Sequence, residues 1–253
     1  MNSHTRNSRV AIVTGGIGGL GTEICRQLAQ AGRQVIAVDL AGREERLHAF
    51  QTELADLNGA VKFEPADVSH FDGCAELIGR VERQHGGVDI LVNAAGITRD
   101  TSLRKMTPQQ WHELMRVNLD GVFNMCRNVV EGMTTRGFGR IVNLSSVNGQ
   151  TGQFGQTNYS AAKAGVIGFT KALALESAKK GVTVNCIAPG YIDTEMVQAV
   201  PENVLASIIG QIPVGRLGRG DEIADMVAFL AGEHAGYVTG STLSLNGGQY
   251  MAG

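Results

Sequence analysis

This sequence predicts an α/β fold, a doubly wound parallel sheet with helices on both faces, and three observations carry the prediction. Apolar runs of strand length alternate with helix-length amphipathic stretches along the chain. The runs, Val10-Ala11-Ile12-Val13 and Val35-Ile36-Ala37-Val38 first among them, are apolar at every position, as strands covered on both faces are. The first run ends in a burst of glycines that opens the first helix, the commonest way for such a sheet to make a ligand crevice.

Taken in order, the first run stops at Thr14, and the helix after it keeps Leu20, Ile24, Leu28 and Ala31 at helical spacing until Gly32. The second strand closes at Asp39. A polar helix over about 43–57, a strand near 61–66 ending at Asp67, and a helix over 70–85 repeat the alternation. A fourth strand, 88–92, runs into Asn93-Ala94-Ala95-Gly96. The segment 107–136 reads as one long helix opened by Thr107 as N-cap and Pro108 at the first helical position. Gly139 to Leu144 makes a fifth strand, 158–180 a helix, and 182–188 a strand broken by Pro189-Gly190. Residues 191–218, with prolines at 201 and 213 and no long apolar strand, read as short helices of a mobile lid. A helix over 221–232 and a strand over 242–245 finish the chain.

A length of 253 residues with 43% hydrophobic composition supplies a sizeable core, and without linker or internal repeat the expectation is one domain over 1–253. A net charge of -2 with mixed signs leaves no basic field for nucleic acid or an anionic membrane. Cys25, Cys74, Cys126 and Cys186 lack C-x-x-C spacing and fall mostly in apolar runs, which suits buried free thiols in a reducing compartment. The first nine residues are polar with no apolar signal core, and no stretch approaches the roughly 20 apolar residues of a membrane span, so a soluble cytoplasmic protein is expected. Six histidines without ligand spacing give no reason to expect a metal.

Two constellations carry chemistry. In Thr14 to Gly21, Gly16, Gly18 and Gly21 satisfy G-x-G-x-x-G, while Gly15, Gly19 and Gly21 satisfy an overlapping G-x-x-x-G-x-G spacing. Such a turn aims backbone N–H groups and a helix dipole at a pyrophosphate, and Asp39 at the end of the second strand suits ribose hydroxyls. Dinucleotide binding follows. The second constellation is Tyr159 and Lys163, one helical turn apart on one face. A cation near a phenol favours the phenolate; unit charges about 4 Å apart at an effective dielectric near 20 interact by about 4 kcal/mol, so Lys163 is expected to lower the Tyr159 pKa.

Thr14 to Gly21, Asn93-Ala94-Ala95-Gly96, Asn118, Ser146 and the Tyr159/Lys163 pair together resemble the short-chain dehydrogenases/reductases over nearly the whole chain. One departure is Asn-Ala-Ala-Gly where the family has Asn-Asn-Ala-Gly. The resemblance implies a Rossmann-like, doubly wound sheet of about seven parallel strands, and an NAD(P)H-dependent oxidoreductase acting on CH-OH/C=O. It implies Tyr159 as the general acid, Lys163 as its pKa modulator and the holder of the nicotinamide ribose, Ser146 as the group that polarises the carbonyl, and Asn118 as the holder of a relay water. For the cofactor it implies contacts from Gly15, Ile17, Gly18, Gly19, Leu20, Gly21 and Asp39, then Asp67 and Val68 at the adenine, and Asn93, Ala94 and Gly96 where backbone and small residues line the cofactor. Pro189, Gly190, Ile192 and Thr194 resemble the segment that packs on the carboxamide.

Within the family, the stretch from Asn148 to Tyr159 resembles the acetoacetyl-CoA reductases, which make (R)-3-hydroxybutyryl-CoA for polyhydroxyalkanoate synthesis. By that resemblance Asp100, Gln153, Phe154, Gln156, Gly190 and Tyr191, with Ser146 and Tyr159, would contact an acyl thioester. Ile97-Thr98-Arg99-Asp100 is shared with the 3-oxoacyl-(acyl-carrier-protein) reductases, which remain an alternative. A catalytically silent dinucleotide-binding regulator is a third reading, opposed by the presence of all four catalytic-type residues. Asp39, followed by Leu40 and with no basic residue in the glycine loop, points to NADH over NADPH; Arg43, crowded by Glu44 and Glu45, is the nearby cation that would reverse this. The helices 107–136 and 158–180, and the last strand with Asn246-Gly247-Gly248, resemble the family's tetramer interfaces, so a homotetramer is expected.

Overall fold

In the computed structural model, residues 8–194, 197 and 202–251 are described; the expectations for the N-terminal residues 1–7 and for lid residues 195, 196 and 198–201 lie outside them. The strands are β1 (Val10–Thr14), β2 (Gln34–Asp39), β3 (Val61–Pro65), β4 (Ile90–Asn93), β5 (Gly139–Leu144), β6 (Val182–Pro189) and β7 (Thr242–Leu245). All pair in parallel in one sheet of order β3-β2-β1-β4-β5-β6-β7. The order reverses between β1 and β4. At that switch point the loops leaving the two strands diverge to opposite faces and open a crevice at the strands' carboxyl ends.

The helices are α1 (Gly19–Gln30), α2 (Glu44–Glu53), α3 (Phe71–His85), α4 (Pro108–Met115), α5 (Gly121–Arg136), α6 (Val147–Thr151), α7 (Thr157–Ser177), α8 (Glu202–Gly210) and α9 (Gly220–Leu230). The alternation of side chains along each strand sorts the core into two layers. Val10 and Ile12 of β1, Ile36 and Val38 of β2, and Val182 and Val184 of β6 face Leu77, Val129 and Val166 from α3, α5 and α7. Their neighbours Ala11, Val13, Val35 and Ala37 face Ile24 and Leu28 of α1 and Ile223 and Val227 of α9. Every residue of β1, β4, β5 and β6 is buried, and most are apolar; the buried polar ones find partners, as Asn93 does on Asn143 and Asn185 on Val238 O. Truncating a fully buried side chain such as Leu28 to Ala would cost about 2–5 kcal/mol.

One expectation needs correcting. Segment 107–136 is not one α-helix: after the predicted Thr107 cap, closed by a Thr107/Gln110 capping box, residues Arg116–Asp120 widen into a π-turn between α4 and α5. Single π-turns inside α-helices are costly and concentrate at functional sites. The stretch after Ser146, which shows no helical periodicity, holds the short helix α6, with Ser146 Oγ accepting from Asn148 N–H at its start. The four cysteines are free and buried, as expected.

Candidate active site

A groove of about 1330 Å³ runs along the carboxyl ends of the strands at the switch point. Gly15, Gly18, Gly19, Leu20 and Gly21 line it, and the first turn of α1 lies in that wall, where helix N–H groups have no partner inside their own helix. Gly15 has φ 67°, and a Cβ there would come 2.9 Å from Ala95 Cα. A Cβ at Gly21 would run into the Gly15 carbonyl oxygen, so both positions require glycine for the turn and helix to pack. Thr14 Oγ1 accepts from Ala94 N–H at 3.1 Å and Ala95 N–H at 3.2 Å, tying the loop after β4 to the end of β1. A bare backbone cradle of this kind fits a dinucleotide pyrophosphate.

Farther along the groove lie Asp39, Asp67 and Val68. Asp39 Oδ1 accepts from Leu40 N–H at 2.9 Å and pairs with Arg43 Nη1 at 2.7 Å. Arg43 lines the same groove. Asp67 accepts from Ser69 N–H at 2.9 Å and contacts His70 Nδ1 at 3.1 Å, so it caps a turn as well as facing the groove. Ala94, Gly96 and Thr194 also line the groove. Ile17 and Asn93 do not line it: the Ile17 side chain is wholly buried in the core, and Asn93 Nδ2 donates to Asn143 Oδ1 at 2.8 Å.

Beside Gly96 the catalytic-type residues converge. A Cβ on Gly96 would stand 3.5 Å from Asn118 Oδ1 and 3.7 Å from Lys163 Nζ. Asn118, fully buried in the π-turn, accepts from Ile97 N–H at 2.8 Å and donates to Ile97 O at 3.0 Å, which pins the loop next to Gly96. Lys163 is buried, donates to Leu144 O at 2.7 Å, and lies with its Nζ 5.6 Å from the Tyr159 ring centre. Burial lowers its pKa to about 8, against a small opposing effect of Cys186. The expected lowering of Tyr159 is corrected: burial raises its pKa, a hydrogen bond with Ser146 opposes this, and Asp100 adds to the rise. The ammonium of Lys163 donates to the Leu144 carbonyl, and what sets the Tyr159 pKa is burial first, then Ser146 and Asp100. A raised pKa keeps Tyr159 protonated at neutral pH, the state a proton donor needs.

A family profile described as short chain dehydrogenase matches residues 9–205, a span that takes in the glycine turn, Asn118, Ser146, Tyr159 and Lys163. The chain belongs to the short-chain dehydrogenase family. It is 58% identical to an acetoacetyl-CoA reductase of Rhizobium meliloti over 97% of this chain and 100% of that protein. It is 48% identical to an acetoacetyl-CoA reductase of Cupriavidus necator over 96% of this chain and 98% of the other. A 3-oxoacyl-(acyl-carrier-protein) reductase of Haemophilus influenzae is 41% identical over 96% and 99%.

In this short-chain dehydrogenase the residues expected at the substrate divide into two groups. Phe154, 91% exposed, and Gln153 project from the loop between α6 and α7. Asp100 and Gln156 bond to each other at 2.7 Å. Gly190 N–H donates to Leu245 O at 2.9 Å at the end of β6, and Ile192 bridges Gly218, so the two ends of the segment 191–218 meet. Sequence reasoning missed Thr14 and Asn148. Thr14 stands at the strand end directly before the first glycine, a signal that a polar residue there has a partner to find; Asn148 carries no such signal. Among the described residues, no three His, Cys, Asp or Glu side chains gather to hold a metal, and no helix is long and apolar enough to cross a membrane.

Proposed function

We propose that the chain reduces the 3-oxo group of a short acyl thioester, acetoacetyl-CoA, to (R)-3-hydroxybutyryl-CoA. The observation that carries this reading is a protonated Tyr159, hydrogen-bonded to Ser146 and one turn from a buried Lys163, beside a groove whose glycine cradle fits a dinucleotide. A reduced nicotinamide dinucleotide, when bound, supplies the hydride that reaches the carbonyl carbon. Tyr159 Oη gives its proton to the carbonyl oxygen as negative charge develops there. Ser146 donates a hydrogen bond to the same oxygen, and because that bond strengthens in the transition state it lowers the barrier. Lys163, still largely a cation at neutral pH, holds the ribose hydroxyls and steadies the phenolate left behind. Asn118, its amide bonded to Ile97, keeps the loop at Gly96 in place beside any relay water.

Between the two dinucleotides the reading is NADH, because the Asp39 carboxylate suits free 2′- and 3′-hydroxyls and opposes a 2′-phosphate. The names of relatives 58% and 48% identical support the CoA thioester over a carrier-protein thioester. Four free, buried thiols suit work in the cytoplasm, and the exposed faces of α5 and α7 suit a homotetramer. Mixing the protein with acetoacetyl-CoA and reduced cofactor, and following nicotinamide absorbance, tests the proposal. Turnover of the CoA thioester is expected, with a four-carbon chain favoured at least about tenfold over an eight-carbon one. Failure on the CoA thioester with turnover of the carrier-protein thioester would move the assignment to the second substrate, and failure on both would refute it.

A further inference from the structure

Gln156, just before α7, has both ends of its amide engaged. Its Nε2 donates to Asp100 Oδ2 at 2.7 Å, and its Oε1 accepts from Asn148 Nδ2 at 2.9 Å. An ionised carboxylate only accepts, so Asp100 fixes which way the Gln156 amide faces and leaves its oxygen for Asn148. Asn148 is the second residue of α6, and its backbone N–H donates to Ser146 Oγ at 3.2 Å. With one lone pair of Ser146 taken in this way, the hydroxyl keeps its proton and its other lone pair for the side where Tyr159 lies in hydrogen-bond contact. Two more bonds hold the same segments together: Thr101 N–H to Gly155 O at 2.8 Å and Asn158 Nδ2 to Arg99 O at 3.3 Å.

The geometry points to Asp100 as a positioning residue: through Gln156 and Asn148 it holds the first turn of α6 so that the Ser146 hydroxyl stays beside Tyr159, facing the place of the substrate carbonyl. It rests on the reductase reading above, and differs from a direct contact of Asp100 and Gln156 with the acyl thioester. Hydrogen bonds to a carboxylate are the stronger kind, and an anchor on the separate loop 97–101 gives α6, only five residues long, a support that its own helical bonds do not provide.

The test uses Asp100→Ala, Asp100→Asn, Asn148→Ala and the Asp100→Ala/Asn148→Ala double variant. Asp100→Asn keeps an oxygen that accepts from Gln156 and removes the charge. If the bond chain positions Ser146, Asp100→Ala and Asn148→Ala each lower kcat about 5- to 20-fold with KM for acetoacetyl-CoA within about threefold. The double variant falls no further than the worse single one, because both cut one chain, and Asp100→Asn, which keeps an accepting oxygen but loses the charge and the fixed amide direction, falls between wild type and Asp100→Ala. Hydrogen exchange of the backbone at 147–158, measured without substrate, speeds up in Asp100→Ala and by less in Asp100→Asn. A raised KM at unchanged kcat, multiplying losses in the double variant, or unchanged exchange in Asp100→Ala would each overturn the proposal. Should the wild type fail to reduce acetoacetyl-CoA, the reductase reading falls, while the exchange experiment still decides whether Asp100 holds α6.

Discussion

Arg43 places its Nη1 2.7 Å from Asp39 Oδ1, so the carboxylate expected to exclude a 2′-phosphate already carries a counter-charge at the rim of the groove. The Arg43 side chain is 44% exposed and that of Asp39 only 9%, so the arginine is the partner free to swing. NADH is expected to give the higher kcat/KM in the wild type. Arg43→Ala should widen the margin over NADPH, because the carboxylate then meets a phosphate unscreened, and Asp39→Ala should narrow or invert it. A wild-type preference for NADPH would show that Arg43 overrides Asp39.

Tyr159→Phe keeps the ring and removes the proton. Turnover should fall by about a hundredfold or more, the ordinary scale of general acid catalysis, while cofactor affinity measured by nicotinamide fluorescence stays within about twofold. Near-normal turnover would remove Tyr159 from the proton path.

The pH dependence follows from two buried groups. Tyr159 is raised by burial and stays neutral through the neutral range, so reduction should be flat there, while oxidation of the hydroxy thioester, which needs the phenolate, should climb with pH. Reduction should decline above about pH 8 as Lys163 loses its charge. For stability the sign is opposite. A lysine whose folded pKa is about 8 binds fewer protons folded than unfolded between that value and its ordinary 10.5. Its cost is therefore full below pH 8 and fades as pH rises to the upper value, an effect of up to about 3 kcal/mol. Lys163→Met should raise the neutral-pH melting temperature while removing turnover. A Lys163→Met protein no more stable than wild type at pH 7 and pH 10 alike would contradict this account.

Gly15→Ala puts a methyl group 2.9 Å from Ala95 Cα on a backbone with φ 67°. Strain of this kind costs about 1–3 kcal/mol, and the shift needed to relieve it moves the cradle. Thermal melting should show the loss, and the dissociation constant for cofactor should rise about tenfold or more. Gly32→Ala, at φ 77° with open space around it, should share the stability loss without weakening cofactor binding.

Assembly is open to a direct measurement. Phe71 and Phe123 stack with ring centres 6.1 Å apart on the faces of α3 and α5, and both are more than 40% exposed in the single chain. Burial of such a pair between subunits fits the expected closed dimer of dimers. Light scattering at micromolar concentration should give four times the 26.8 kDa chain mass, and a monomeric mass would contradict the assembly.

The sequence by itself determined whatever depends on residues close together in the chain. The runs 10–13 and 35–38 are apolar at every position because β1 and β2 are covered on both faces there, so those two strands were legible to within a residue. The glycine turn was legible because only glycine tolerates the Gly15 backbone and the Gly21 contact, and Tyr159 and Lys163 because a four-residue helical spacing puts two side chains on one face. Tertiary structure decided what depends on burial and on partners far apart in the chain. Segment 107–136 reads as one helix because a π-turn changes no periodicity that composition shows; what stabilises it is Asn118 bonding Ile97, 21 residues away. Gln156 reads, by resemblance, as a substrate contact, and only the folded chain shows Asp100, 56 positions earlier, bonded to it. The proton affinities of Tyr159 and Lys163 follow the same rule. Their spacing predicts an attraction, but the water excluded by the sheet, α7 and the Leu144 carbonyl sets the result, and that exclusion exists only once the chain has folded.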